Sequence, residues 1–209
     1  MDLLPWIADE RRKVAALVET LTGEQLATPS LCDRWTVHEV AAHLLMPVVT
    51  GVPRVLVAML ASGFDFDRAN LRLTASVARR SPAQLADGLR AGAENRFKPP
   101  GMGFEAPLND LLVHQQDIRR PLGLAPDLDP ERVRTCLDFV LGGTGGRRPA
   151  PAFEGIRWQA TDLDWAFGTG GPLVRGTGEA LLMTRHRRLV ALADLDGPGA
   201  DVLRSRLRP

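Results

Sequence analysis

The chain has two cysteines, Cys32 and Cys136, in 209 residues. That is too few for a disulfide framework in a chain of this size, and a reduced, cytoplasmic protein is expected. No window of 18 uncharged apolar residues occurs, which excludes a membrane-spanning helix of the usual kind. The opening Met1-Asp-Leu-Leu-Pro-Trp-Ile-Ala-Asp-Glu10 has no basic region followed by a long apolar run, so it does not read as a signal peptide. An excess of either charge is missing as well. Lys and Arg number 26 against 25 Asp and Glu, a formal net charge of +1, so no general attraction to nucleic acid or anionic lipid is expected. There is no Gly-x-Ser-x-Gly elbow and no Cys-x-x-Cys pair, and the glycine runs complete neither a dinucleotide-binding nor a P-loop pattern. Serine-hydrolase, zinc-finger and nucleotide-binding readings are left without support.

What is present is helical patterning with clear start signals. Residues 3–21 show helical periodicity with Pro5 near the first turn. Thr22-Gly-Glu-Gln25 is a capping box for a short turn, and Thr36-Val-His-Glu39 is a second one, opening a helix that carries His43 two turns in. Pro47 is expected to kink or end that helix. Further helices are expected over 66–79, from the Ser81-Pro82 cap to about Arg96, from about Glu105 to Arg120, and from Asp129-Pro130 to Leu141. The Gly/Pro-rich run 142–151 marks a domain boundary. Beyond it, Ile156–Phe167 alternates like one half-buried strand, Gly168-Thr-Gly-Gly171 reads as a hairpin turn into Leu173–Arg175, and helices are expected at 178–186 and 199–207. The expected organisation is thus mainly α: a helical domain over 1–145, then a small α/β domain over 152–209.

The chemistry concentrates in Asn109-Asp-Leu-Leu-Val-His-Gln-Gln-Asp117. On a helix, Asp110 and His114 lie one above the other on a single face, where a carboxylate and an imidazole can share a divalent cation. His43, set among Ala41, Ala42, Leu44 and Leu45, is the third donor that would complete a two-histidine, one-carboxylate set with open coordination positions. On spacing alone a blander account stands beside it: the Asp–His pair as a surface hydrogen bond, and His43 as a satisfied core residue. Cys32 is read as a structural thiol with a reactive thiol as the alternative, Cys136 as core, His38 as an exposed member of its capping box, and His186 as part of a solvated basic helix end that could instead receive an anionic group. The four tryptophans are read as core or interface anchors.

Ser30-Leu-Cys-Asp-Arg-Trp-Thr-Val-His-Glu-Val-Ala-Ala-His43-Leu resembles the opening motif of the mycothiol-dependent maleylpyruvate isomerase family, part of the wider DinB-like metal-binding superfamily. Asp110-Leu-Leu-Val-His114-Gln-Gln-Asp117 is similar to that family's Glu-x-x-x-His-x-x-Asp, and Thr161–Trp165, Gly176–Leu182 and Leu195–Gly199 are similar to its C-terminal module. The resemblance implies a DinB-like four-helix bundle followed by a small C-terminal α/β module. It implies a divalent metal, commonly zinc, on His43, Asp110 and His114. An open position on that metal would take water or a low-molecular-weight thiol such as mycothiol, for isomerisation or S-transfer on a small electrophile. Asp117, one turn past His114, could accept its second ring N–H; a surface acid paired with Arg119 or Arg120 is the alternative. Asp110 departs from the family's glutamate and is one methylene shorter, which puts affinity, metal choice and activity in question. A non-catalytic, metal-containing binding or stress-response protein is the competing expectation, and a purely structural bundle the third. Small molecules are the expected partners, on a monomer or homodimer.

Overall fold

The computed structural model describes residues 2–142 and 151–207. These residues form ten α-helices and one three-stranded sheet, a mainly helical bundle followed in sequence by a small sheet-containing module. Most of the run expected to separate two domains lies outside the described residues. By contacts the chain divides into one unit of residues 1–97 and 114–125 and a second of 98–113 and 126–209.

The first unit is built on α1 (Leu4–Thr20), α3 (Val37–Val49), α6 (Pro82–Ala91) and the later turns of α7 (Glu105–Arg119). The α1 helix packs on α6, and α3 packs on α6 and on α5 (Phe66–Val77). Leu17, Leu26, Val37, Val40 and Ile118 form one apolar cluster, which joins α1, α2 (Gly23–Ala27), α3 and α7. Among the polar side chains buried between these helices are Glu10 and Arg11, and both are paired. Glu10 has no exposed surface and takes a hydrogen bond from Gln115 Nε2 at 2.5 Å, with Lys13 Nζ at 3.4 Å from its other oxygen. A carboxylate buried without such partners would cost several kcal/mol. Arg11 donates from Nη1 to the carbonyls of Gly92, Ala93 and Asn95, at 3.3, 2.8 and 2.6 Å. Burial lowers its pKa below the usual arginine value.

Those carbonyls explain why α6 stops at Ala91 instead of running on to Arg96. Past Gly92 the backbone turns its oxygens toward the guanidinium, an alternative to the next helical turn. Both expected capping boxes form, at Thr22/Gln25 and Thr36/Glu39, and a third forms at Ser81/Gln84. Pro47 lies inside α3, which closes two residues later at Val49. The next helix, α4, spans Val52–Ala61.

The second unit holds the first turns of α7, α8 (Pro130–Leu141), the sheet, α9 (Gly178–Arg185) and α10 (Pro198–Arg206). Here the expected single strand over 156–167 is two strands, β1 (Arg157–Ala160) and β2 (Ala166–Phe167), paired antiparallel with Trp158 opposite Phe167. In the turn between them, Asp162 Oδ1 accepts from the Gly178 N–H at the start of α9, 2.8 Å away. Nor is 168–171 a hairpin turn: β3 (Leu173–Gly176) pairs parallel with β1, on its other side, in the order β2-β1-β3. The crossing needs glycine at Gly171, where φ is +84° and a Cβ would stand 1.8 Å from the Gly155 carbonyl oxygen. Trp165 Nε1 donates to Asp138 Oδ1 at 2.7 Å, and Arg185 donates to the Val140 carbonyl, so sheet and α9 both fasten to α8.

Candidate metal centre

The site begins with two helices whose ends are set locally. The Thr36/Glu39 box starts α3 and brings His43 to its buried side. On α7, a single unbroken helix, Asp110 and His114 sit one turn apart, and Asp117 one turn further on. The rings of His43 and His114 meet edge to face with centroids 4.8 Å apart. His43, Asp110 and His114 each offer one ligand atom, and these atoms lie within 4.8 Å of one another. Donors on one tetrahedral zinc ion stand about 3.4 Å apart, so side-chain adjustments of about an ångström close the set. The two imidazoles are buried and the aspartate is half-buried.

His114 Nδ1 is 2.8 Å from Asp117 Oδ2, and Asp117 has no exposed surface. A carboxylate there accepts the Nδ1–H and so places the ring's lone pair on Nε2, the form that binds cations. His43 Nδ1 lies 3.4 Å from the Thr74 hydroxyl on α5, a longer contact of the same kind. Nothing in the local pattern around Thr74 marks it in sequence; only the packing of α5 on α3 brings it there.

The segment from Ser30 to Trp35 closes the site from the side. Ser30 Oγ lies 2.7 Å from the Trp35 carbonyl and 3.1 Å from the Cys32 N–H, and the Leu31 N–H donates to the Asp117 carbonyl at 3.2 Å. Arg34 takes a left-handed conformation, φ +76°, inside this tight loop. The result aims Trp35 at both histidines, its ring centroid 4.6 Å from that of His43 and 6.2 Å from that of His114. A tryptophan expected as a packing anchor is thus also a wall of the site. The same loop delivers Cys32, whose thiol forms a second set with His114 and Asp117 within 4.8 Å. Asp117 already binds His114 Nδ1, so the set with His43 and Asp110 suits a cation better. Cys32 is a half-buried neighbour of the site.

The remaining candidates lie elsewhere. Cys136 is fully buried. His38 is half-buried, not exposed, with Nε2 2.9 Å from the Ala78 carbonyl oxygen. His186 Nε2 is 3.1 Å from Asn109 Oδ1, Arg188 donates to the His186 carbonyl, and Arg185 lies over the Phe153 ring with its pKa lowered by burial. No described helix is long and apolar enough to cross a membrane.

Residues 7–98 match the family model described as the mycothiol maleylpyruvate isomerase N-terminal domain. No curated protein matches the chain. Two crystal structures are similar to it, both of a mycothiol-dependent maleylpyruvate isomerase, one of them a histidine-to-alanine mutant. The first is 13% identical with a TM-score of 0.50, covering 90% of this chain and 92% of the other. The mutant is 13% identical with a TM-score of 0.52, covering 96% and 97%. At that identity the likeness is one of fold. Together with the matched N-terminal segment, it points to this family and its DinB-like superfamily in general.

Proposed function

We propose that the chain holds one divalent cation, zinc by preference, with His43, Asp110 and His114. With a low-molecular-weight thiol, mycothiol in the first instance, it isomerises a small electrophile, or joins the thiol's sulfur to its electrophilic carbon as a leaving group departs. The observation that carries this reading is the convergence of three donors from α3 and α7 while a buried carboxylate grips the far nitrogen of His114. Two imidazoles and a carboxylate suit zinc and leave a coordination position for a ligand. A cation so bound favours thiolate over thiol at neutral pH.

The chain's own residues do the rest. Asp117 keeps the His114 proton on Nδ1 and the ring in one orientation. Trp35 shields the imidazoles from water on one side. Asp110 supplies the one negative charge of the donor set, from a half-buried position.

The test has two parts. Purified protein is analysed for metal, and then assayed with mycothiol against an activated cis double bond and against an electrophilic carbon bearing a leaving group. Stoichiometric divalent metal lost in His43→Ala, together with turnover of one substrate, supports the proposal. Absence of metal from the wild type under metal-replete conditions overturns it. Metal without turnover of either substrate favours the binding-protein reading.

A further inference from the structure

The α4 helix is apolar nearly all round, yet one whole face of it meets solvent. Its inner side, with Ala58 buried and Val55 and Met59 half-buried, packs on α5. Leu56, Val57 and Leu60 share the outer side, and Phe64 and Phe66 follow at the turn into α5; all five are 56–71% exposed. Phe64 holds its exposed ring from a left-handed backbone, φ +62°, which costs a bulky residue about 1 kcal/mol or more. A helix apolar on every side is ordinarily covered on every side.

We infer that this face is where a second copy of the chain docks, through an antiparallel pairing of α4 with its symmetry mate. Area is the first argument. The five side chains expose roughly 500–600 Å² of apolar surface, while a standard interface takes about 800 Å² from each partner, some 60% of it non-polar. One patch therefore supplies the apolar share of a standard interface. Charge is the second argument. Arg54 lies at the start of α4, and just past its end lie Asp65, bridged by Arg68 at 3.2 Å, and Asp67, all exposed. A two-fold axis across α4 sets each Arg54 against the partner copy's Asp67 end, so the patch is complementary to itself. A lipid surface would call for a cationic rim, and this rim is charge-balanced, with Arg54 and Arg68 against Asp65 and Asp67.

The experiment is sedimentation velocity on the full chain from 1 to 100 µM, with circular dichroism melting as the check on folding. The expected result is a species of twice the chain mass in the wild type, and a species of one chain mass, with unchanged melting, in Leu60→Glu. Val57→Arg, on the same exposed face, serves as the second reading if Leu60→Glu fails to fold. Arg54→Asp should weaken association at least tenfold, and Arg54→Asp combined with Asp67→Arg should restore it. A wild type that stays at one chain mass at 100 µM overturns the inference. So does a dimer that survives either apolar-face variant, or a monomer that co-sediments with phosphatidylcholine vesicles through this face.

Discussion

Asp117 accepts a hydrogen bond from the Nδ1–H of His114 from one turn further along the same helix, 2.8 Å away and wholly out of solvent. The orientation of that imidazole is therefore a property of α7 itself. On the proposed reading, Asp117→Asn keeps the shape and loses the charge that makes Nε2 a better donor, so cation affinity should fall 10- to 100-fold. Isothermal titration with zinc reads this directly. An affinity equal to wild type would mean that the contact only holds the fold.

Removing a donor should be harsher. His43→Ala and His114→Ala each leave two of the three donors, and protein purified from metal-replete medium should carry less than about a tenth of the wild-type metal content. Mass spectrometry of the metal content decides it. Retention of full metal by both variants would place the ion elsewhere.

The short carboxylate makes its own prediction. Asp110 is the half-buried member of the donor set, and a glutamate carboxylate ligates zinc equally well. Asp110→Glu should retain stoichiometric metal where Asp110→Ala does not. Loss of metal in both would show that this position needs the shorter side chain.

Stability away from the site rests on Arg11. Arg11→Met takes a shared donor from the carbonyls of Gly92, Ala93 and Asn95, and buried acceptors left unanswered cost about 1–3 kcal/mol each before relaxation. We expect a loss of about 2–4 kcal/mol in urea unfolding, with an unchanged denaturant slope. A loss under 1 kcal/mol would mean that water replaces the guanidinium.

In the second unit the sheet crossing depends on Gly171. Gly171→Ala meets both a left-handed backbone and the Gly155 carbonyl, and should cost about 2 kcal/mol or more. Thermal melting followed by the near-ultraviolet signal of Trp158 and Trp165 is the measurement. A melting temperature equal to wild type would show that the crossing can rearrange.

The parts of this protein that can be read from its residue order are those built from neighbours. The capping boxes at Thr22 and Thr36, the α8 helix from Asp129 to Leu141, and the one-turn spacings of Asp110, His114 and Asp117 all follow from interactions within four residues. His43 could be nominated because an imidazole among alanines and leucines needs a partner, but its distance to His114 is a matter of packing.

What needed the folded chain was every relation across long separations. Trp35 against both rings, Cys32 beside Asp117 and Thr74 behind His43 come from a tight loop and from α5 lying on α3. The end of α6 depended on an arginine 81 residues earlier. The parallel pairing of β3 was hidden for a similar reason: glycines at 168–171 serve a hairpin or a crossover equally well, and the choice lies with the strand on the other side. Local hydrogen bonds and helix periodicity are encoded residue by residue. Which surfaces then meet depends on the packing of the whole chain, and no short stretch contains that information.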